Sequence, residues 1–346
     1  MESNLSNPYK WNTVTSTMVR NHLGYACINQ TLSDTEQVCT NRTLRLKTLK
    51  EQGLEYLSEL ITGNLDALRQ VLEWNYEHDF KLYRMSSEMF PFYSHLEHGY
   101  RIEDLPQSDL ILSQLRSLGE YARSTEQRLT FHPGPFNVLA SPNPEVVKKA
   151  VNELNCHSHI FDLMGFEPSW ENKINIHVGG AYGDRESALK RFCESFALLD
   201  EGTKKRLTVE NDDRANLYSV KDLYDGVYKV IGIPIVFDYH HYCFNTGDMT
   251  EQEALALAHS TWPKNVVPVF HYSESKVIEQ GGDKMTPAHS DYISGSIDTY
   301  GYSFDLVFEA KRKEQAVYSF LDCNPEWTLQ SKISKTESKL IGHMAF

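Results

Sequence analysis

The sequence predicts an α/β protein, a single (β/α)₈ TIM barrel with a metal site where its strands end. Eight short apolar runs alternate with helical segments over about 300 residues, and no linker divides them. Several of these runs stop abruptly in His, Asp or Glu, as Ile235-Val236-Phe237-Asp238 does before Tyr239-His240-His241. A closed barrel brings the C-terminal ends of all its strands to one mouth, whereas a doubly wound sheet, the alternative fold, gathers ligands at one switch point. Because ligand-type residues follow several different strands, we favour the barrel.

Apolar and β-branched runs mark the strands, and apolar residues spaced three and four positions apart mark the helices. We expect strands over residues 22–29, 80–89, 129–132, 173–178, 206–210, 234–238, 266–272 and 304–310. We expect helices over residues 42–77, 108–125, 144–164, 184–199, 219–231, 250–259 and 313–321. Asn143 or Ser141 is placed to cap the third helix and Asp184 the fourth, while Gly232 and Pro234 stop the fifth. A long loop rich in Gly, Ser and Asp precedes the last strand.

Composition narrows the class of protein. The net charge of −13 argues against a nucleic-acid partner only until bound metal ions are considered, since these become the largest local charges. The six cysteines form no C-x-x-C pair and no basic region precedes an apolar leader, so we expect reduced thiols in an intracellular protein. Such a protein would be cytoplasmic in a bacterium, and nuclear or mitochondrial in a eukaryote. No apolar run is long enough to span a membrane.

Three segments follow from the same pattern. Residues 1–20 are polar and predict a flexible lead-in, residues 21–324 the barrel domain, and residues 325–346 a polar C-terminal tail. We expect a monomer.

Candidate metal ligands follow five of the strands. They are His132, Glu210, Asp238 together with His241, His271 and Glu309. Imidazole and carboxylate ligands suit Zn²⁺, Mn²⁺ or Fe²⁺, and paired ions about 3.5 to 4 Å apart clamp the attacking and leaving oxygens of a phosphodiester. Each residue has a structural alternative, because a lone His is more often bonded to backbone and a buried Glu can pair with Lys or Arg. For His157, inside the third predicted helix, a structural role is the default.

Seven motifs run in one order along the chain. They are Leu23-Gly24-Tyr25-Ala26-Cys27-Ile28-Asn29, Thr40-Asn41-Arg42-Thr43-Leu44-Arg45, Tyr83-Arg84-Met85-Ser86-Ser87-Glu88-Met89-Phe90-Pro91, Phe131-His132-Pro133-Gly134, His177-Val178-Gly179-Gly180-Ala181-Tyr182-Gly183, Glu210-Asn211-Asp212 and Phe308-Glu309-Ala310-Lys311-Arg312-Lys313-Glu314-Gln315. Together they resemble the UV damage endonuclease family, which is related to the endonuclease IV type of apurinic-site nuclease. The resemblance implies a (β/α)₈ barrel that holds up to three divalent ions, most often Mn²⁺ but also Zn²⁺, Mg²⁺ or Co²⁺. It also implies incision of damaged double-stranded DNA immediately 5′ of a cyclobutane pyrimidine dimer or (6-4) photoproduct, leaving 3′-hydroxyl and 5′-phosphate ends.

Carried over residue by residue, the resemblance implies a full set of site residues. The metal ligands would be His132, His157, Glu210, Asp238, His241, His271, His289 and Glu309. Catalysis would fall to Glu210, Asp238 and Glu309, with His95 as a further histidine of the active site. Tyr25 corresponds to an aromatic that probes the duplex at the lesion, with Asn29 beside it, and Phe136 is a further candidate DNA contact. Arg42 is a candidate on other grounds, since it belongs to a local basic set with Arg45, Lys47 and Lys50 that could contact a DNA backbone or simply form a solvated helix face.

The chain departs from the family pattern at two positions. Pro135 stands where members carry a Gln after His-Pro-Gly, so lesion probing is expected to rest on Tyr25 and Phe136. Val269 stands where some members carry a Lys, so no lysine can assist the metals from that position.

Two other functions remain open on sequence grounds. Related barrels place metals at the same mouth to act as sugar isomerases or epimerases. A damaged-DNA-binding protein without catalysis is the second alternative, although the full ligand set argues against it.

Overall fold

The computed structural model describes residues 22–282 and 284–327, in which strands and helices alternate as the sequence predicts. The strands are β1 Leu23–Ala26, β2 Leu82–Met85, β3 Arg128–Phe131, β4 Ile174–Ile176, β5 Leu207–Glu210, β6 Ile235–Val236, β7 Val269–Tyr272 and β8 Asp305–Phe308. The helices are α1 Gln30–Glu36, α2 Leu46–Glu77, α3 Ser108–Ser124, α4 Pro144–Leu163, α5 Arg185–Phe196, α6 Glu201–Lys204, α7 Val220–Leu223, α8 Lys229–Ile231, α9 Tyr239–Tyr242, α10 Glu251–Ser260, α11 Lys276–Gln280 and α12 Lys313–Cys323. The expectations for residues 1–20 and 328–346 lie outside the described residues.

All eight strands are parallel, and strands that are neighbours in sequence are neighbours in the sheet. Their order is β6-β5-β4-β3-β2-β1-β8-β7, so β1 pairs with both β2 and β8. The remaining gap is bridged where Asp238, just after β6, pairs with His271 of β7, and His271 N donates to Phe237 O at 3.0 Å. This nearly closed ring confirms the TIM barrel and excludes the doubly wound sheet.

The helices differ from the predicted pattern in detail. Four short helices, α1, α6, α9 and α11, were not expected, because each has only four to seven residues, too few to show a helical period. Helix α2 turns sharply at Gly53, whose φ of 73° is a conformation that glycine adopts at little cost. Helices α7 and α8 are joined through a π-helical turn at Tyr224–Tyr228.

Side chains of successive strand residues point alternately into the barrel and out toward the helices. On β7, Phe270 points outward and packs on Trp262 and Phe304, whereas His271 points inward. The inward row of each strand therefore leads to the mouth, and the outward row builds the core between sheet and helices.

All six cysteines are free thiols, as expected. Among the described residues, none of the helices combines the length and apolar character that a membrane span requires.

Candidate metal centre

Glu210, the last residue of β5, lies at the centre of the mouth. It is fully buried. Its Oε2 is 3.0 Å from His132 Nε2, and its Oε1 is 3.1 Å from His271 Nδ1 and 3.5 Å from His241 Nδ1. Asn175 of β4 also donates to Oε2. One carboxylate thus faces imidazoles that come from three other strand ends.

A second carboxylate, Glu309 after β8, shares His271 with Glu210. His271 Nδ1 is 3.2 Å from Glu309 Oε1, and the Arg84 guanidinium donates to the same oxygen. Three groups in the mouth bring their ligand atoms close enough to hold an ion between them. They are His132, Glu210 and His271; His177, Glu210 and His241; and Asp238, His271 and Glu309. Glu210 and His271 each belong to two groups, so the three positions overlap. The two oxygens of Glu210 suit it to bridge neighbouring ions, whereas the Nδ1 of His271 could bind only one ion at a time.

Hydrogen bonds to backbone set which imidazole nitrogen is available as a ligand. His241 Nδ1 lies 2.9 Å from the carbonyl of Asn211, and a carbonyl can only accept, so Nδ1 carries the proton and Nε2 is left for a metal ion. His132 turns its Nδ1 toward the carbonyl of Pro133, at 3.3 Å, and its Nε2 toward Glu210. Both rings are oriented as metal-binding histidines usually are.

The buried carboxylates of the mouth differ in the direction of their pKa shifts. Burial would raise the pKa of Glu210, but His271 and His177 outweigh it and hold the pKa well below its usual range. Burial raises the pKa of Asp238 to about 7, and the nearby Glu210 and Glu309 carboxylates add to the rise against the opposing effect of His241. At Asp238, the negative charge of the neighbouring carboxylates therefore outweighs the positive charge of the nearby side chains.

Asp238 provides the direct test of whether a metal fits. Its Oδ1 accepts a hydrogen bond from His241 N at 2.8 Å, whereas its Oδ2 is buried and has no hydrogen-bond partner among the described residues. A buried, unpaired carboxylate oxygen costs several kcal/mol on the order-of-magnitude scale for desolvated charges. A divalent ion bound by Asp238, His271 and Glu309 would remove that cost, so the residues fit hard or borderline divalent cations such as Mn²⁺, Mg²⁺ or Zn²⁺.

The structure brings together most of the ligands that the sequence predicted. His132, Glu210, Asp238, His241, His271 and Glu309 all fall in the three groups. His289 borders them: its Nδ1 lies 2.7 Å from Ser273 Oγ, and Glu309 and Glu210 act on its pKa, which burial lowers.

His157 is not brought to the mouth. It lies on α4, outside the strand wall, where its Nδ1 donates to Glu153 O at 2.8 Å and its ring packs edge-on against Phe131. His177, which follows β4, lies in the cluster instead: Nε2 is 3.9 Å from Glu210 Oε2 and Nδ1 is 3.3 Å from Asp212 Oδ1. Burial would lower the pKa of His177, but Glu210 and Asp212 raise it to about 10. The structure therefore groups His177, and not His157, with the ligand-type residues of the mouth.

Two candidate DNA contacts are buried structural residues. Tyr25 is fully buried, and its hydroxyl donates to Asn75 Oδ1 at 2.5 Å and accepts from Asn29 Nδ2 at 2.9 Å. Asn29 is 2% exposed and caps α1 by accepting from Leu32 N at 2.8 Å. Neither side chain reaches a surface where DNA could lie, so the expectation that Tyr25 probes the lesion with Asn29 beside it is wrong for this conformation.

The other three candidates are exposed. Phe136 is 88% exposed in the loop after β3, which also carries His132. Arg42 is exposed before α2, with its backbone N–H and carbonyl bonded to Asn64. His95 lies on an exposed loop after β2, where its Nδ1 accepts from Glu97 N and His98 N, so it is outside the three groups.

Sequence reasoning missed three residues that point into the mouth. His177 ends an apolar run on β4 as His132 ends one on β3, so the same signal could have found it. Arg84, inward on β2, bonds Glu309. Lys173, fully buried just before β4, places its Nζ 3.2 Å from His271 Nε2, and burial lowers its pKa to about 7. Val269 on β7 stands where some family members carry a lysine. In this chain, Lys173 before β4 places an amine beside His271 of β7.

The fold and the site define a class: a TIM barrel whose mouth carries a cluster of histidines and carboxylates of metal-ligand type. Within this class the chain belongs to the UV-endonuclease UvdE family, whose family model matches residues 21–340. The resemblance inferred from the motifs is thereby confirmed.

Relatives and solved structures agree with this assignment. The chain is 34% identical over 308 residues to the UV-damage endonuclease of Schizosaccharomyces pombe and covers 50% of that protein, so it spans half the length of this relative. It is 30% identical over 309 residues to the UV DNA damage endonuclease of Bacillus cereus strain B4264 and covers 93% of it. These alignments include 86% of the present chain in both cases.

Among solved structures, SacUVDE matches with a TM-score of 0.74 and 30% identity, covering 88% of this chain and 99% of that one. A D-tagatose 3-epimerase-like protein matches with a TM-score of 0.51 at 15% identity, covering 76% of this chain and 94% of that one. The second likeness shows the barrel fold alone.

Proposed function

We propose that this protein is a metal-dependent DNA repair endonuclease, a hydrolase that cuts the damaged strand immediately 5′ of UV photoproducts. Its substrates would be double-stranded DNA with cyclobutane pyrimidine dimers or (6-4) photoproducts, and its products 3′-hydroxyl and 5′-phosphate ends. The observation that carries the proposal is the set of three overlapping histidine and carboxylate groups at the mouth of a barrel of the UvdE family.

The residues of the mouth have separable roles in this proposal. Divalent ions, up to three and most often Mn²⁺, would acidify a water molecule for attack on phosphorus and neutralise charge on the leaving oxygen. Glu210 would bridge neighbouring ion positions, since its two oxygens face different imidazoles. Arg84 would fix the Glu309 carboxylate by donating to Oε1, the oxygen that also faces His271. Asp238 presents its unpaired Oδ2.

Recognition of the lesion would depend on exposed aromatic surface beside the mouth. Phe136 is the most exposed large apolar side chain among the described residues and lies four positions after the ligand His132. A photoproduct is poorly stacked, so inserting a ring beside it costs less than in intact duplex. Pro135 cannot donate a hydrogen bond from its side chain, so contact here would be apolar. We expect the protein to act as a monomer.

A nicking assay tests the proposal. A duplex with one cyclobutane dimer, labelled at the 5′ end of the damaged strand, is incubated with purified protein and Mn²⁺, and the cut is mapped on a sequencing gel. We expect one cut directly 5′ of the dimer, none in undamaged duplex, and none with a chelator. Glu309→Gln should abolish the cut because it replaces a charged carboxylate with a neutral amide, a much weaker metal ligand, and keeps the shape of the side chain. Cutting that persists in chelator, or no cutting with any of Mn²⁺, Mg²⁺, Zn²⁺ and Co²⁺, contradicts the proposal.

A further inference from the structure

The chain between β7 and β8 contains a segment, residues 286–295, that folds back over the turn that follows β7. Lys276 N donates to Ala288 O at 2.7 Å, and Ser290 N donates to Glu274 O at 2.8 Å, so that Ser275 and His289 form an antiparallel bridge. His289 sits on this segment with its Nδ1 against Ser273 Oγ. The only ligand-type histidine in the segment is thus positioned by backbone pairing with residues that directly follow β7.

Glu274 closes the far end of the same segment. Its side chain is buried, with 1% of its surface exposed. The carboxylate accepts hydrogen bonds from Ser294 N at 3.0 Å, Ser294 Oγ at 2.8 Å and Gly295 N at 2.7 Å, and Tyr272 OH lies 3.5 Å away. No salt bridge to Glu274 occurs among the described residues. Four donors, three of them from one corner of the segment, replace the water that the carboxylate loses on burial.

A second carboxylate, Glu279 of α11, holds the outer side of the segment from an exposed position. Its oxygens accept from Asp291 N at 2.9 Å and from Tyr292 N at 2.6 Å. Hydrogen bonds to an exposed carboxylate compete with water and contribute little, whereas those to a buried carboxylate leave both partners unsatisfied when broken. The two acids bind the same segment, but the buried one carries most of the stabilisation.

We propose that Glu274 is a positioning residue that fixes residues 286–295 over the mouth and thereby holds His289 where it can ligate a metal ion. The expected effect on metal binding rests on the proposed function, since the position of His289 matters only if the mouth binds ions. The anchoring itself is independent of metal. Glu274 contributes no ligand and lies in none of the three groups.

Glu274→Gln is the informative substitution because it is isosteric. The carboxylate faces donors on both oxygens, so an amide must turn its NH₂ group toward backbone N–H groups and lose the bonds on that side. Glu279→Gln is the matched control, since it makes the same chemical change in the acid that binds the outer side of the same segment.

Hydrogen exchange of the metal-free protein tests the anchoring. In Glu274→Gln we expect amides of residues 288–295 to exchange at least about tenfold faster than in the wild type, and in Glu279→Gln less than about threefold faster. Equal protection in the wild type and Glu274→Gln overturns the proposal. If Glu274→Gln does not yield folded protein, Ser294→Ala replaces it, because this change removes one of the donors and leaves the carboxylate.

A Mn²⁺ titration then tests the consequence for His289. We expect Glu274→Gln to weaken one ion by about 10- to 100-fold and to leave the others within about twofold, as expected for loss of a group that orients a ligand. The same ion should be weakened in His289→Ala, and the double variant should lose no more than His289→Ala alone. Additive losses overturn the proposal, whereas a wild-type protein that binds no Mn²⁺ contradicts the proposed function and leaves the exchange result to decide the anchoring.

Discussion

Buried charges are compensated in opposite ways at the two ends of the barrel. We call the end where the strands begin the closed end and the end where they stop the mouth. At the closed end, Arg128 at the start of β3 reaches across to Asp305 at 3.0 Å and donates to the carbonyls of Glu171, Trp170 and Val267. At the mouth, the carboxylates of Glu210, Asp238 and Glu309 meet several imidazoles and the Arg84 guanidinium, and Asp238 Oδ2 has no hydrogen-bond partner among the described residues. The buried charges at the closed end are paired among the described residues, whereas the mouth presents ligand-type groups that could hold added cations.

This difference separates residues for stability from residues for function. Removing one partner of a satisfied buried pair leaves a charge that nothing compensates. Removing a carboxylate from a group that lacks cations relieves repulsion as well as losing contacts. We therefore expect substitutions at the closed end to lower stability and those at the mouth to lower activity.

The largest effect should follow Glu210→Gln. Glu210 belongs to two of the three groups, so its loss disturbs two ion positions at once. We expect nicking to fall by on the order of a thousandfold or more, with the protein still folded. Single-turnover rates on the dimer-containing duplex measure the first effect, and circular dichroism with thermal unfolding the second. Near-normal rates in this variant would remove Glu210 from the proposed mechanism.

Arg128→Met should show the reverse pattern at the closed end. Among the described residues, the Asp305 side chain would keep only the hydrogen bond from His22 N at 3.0 Å, and three carbonyls would lose their donor. We expect the free energy of unfolding to fall by about 3 to 5 kcal/mol, measured in urea, with the nicking rate per folded molecule preserved. Lys47→Met is the control, because the Lys47–Glu51 pair is 3.7 Å apart and both side chains are mostly exposed. A loss of activity without loss of stability in Arg128→Met would contradict the division between the two ends.

Sequence predicted the architecture better than the direction in which side chains face. All eight strands were found because each is a short apolar run, and six ligand-type residues that the structure groups at the mouth were found because they end or closely follow such runs. The role of Tyr25 was taken from the family resemblance, which does not reveal the face of the sheet on which its side chain lies. It pairs with Tyr83 and Phe308, each one residue before an inward residue, Arg84 and Glu309, and so faces the helices.

Contacts across the barrel could not be predicted from local patterns. Lys173 precedes β4 and meets His271 of β7, a pairing that depends on closure of the ring and not on spacing along the chain. The bonds from Ser294 and Gly295 to Glu274 have the same character. His177 could have been predicted from the sequence because it follows a strand, whereas these contacts could not.

Substitutions of His177 and His157 test which histidine contributes to metal binding at the mouth. We expect His177→Ala to weaken Mn²⁺ binding by about 10- to 100-fold, because it removes a ligand-type nitrogen near Glu210. His157→Ala should leave Mn²⁺ affinity within about twofold and instead lower stability, because its ring packs against Phe131 in the core. Isothermal titration calorimetry on both variants decides between them. Weaker Mn²⁺ binding in His157→Ala alone would restore the role that the family resemblance implied for it.

A third solution to buried charge occurs on the outer wall, at Glu251. This carboxyl group is 6% exposed, accepts from Tyr300 OH at 3.2 Å, and has no salt bridge among the described residues. Burial raises its pKa to about 8, with Asp298 adding to the rise against the Tyr300 hydrogen bond. At neutral pH the group is therefore mostly protonated. A proton thus removes the buried charge here, whereas Arg128 neutralises it at the closed end and metal ions would neutralise it at the mouth.

Glu251→Gln should consequently change how stability depends on pH. The folded protein keeps this proton up to about pH 8, while the unfolded chain releases it near the ordinary value of about 4.5, so stability is lost as the pH rises between the two. Gln cannot ionise and keeps an oxygen that accepts from Tyr300. We expect the variant to be more stable than the wild type by on the order of 5 kcal/mol at pH 9, with the difference vanishing near pH 4.5. Urea unfolding at both pH values measures this, and parallel curves for the two proteins would show that Glu251 is charged in the fold.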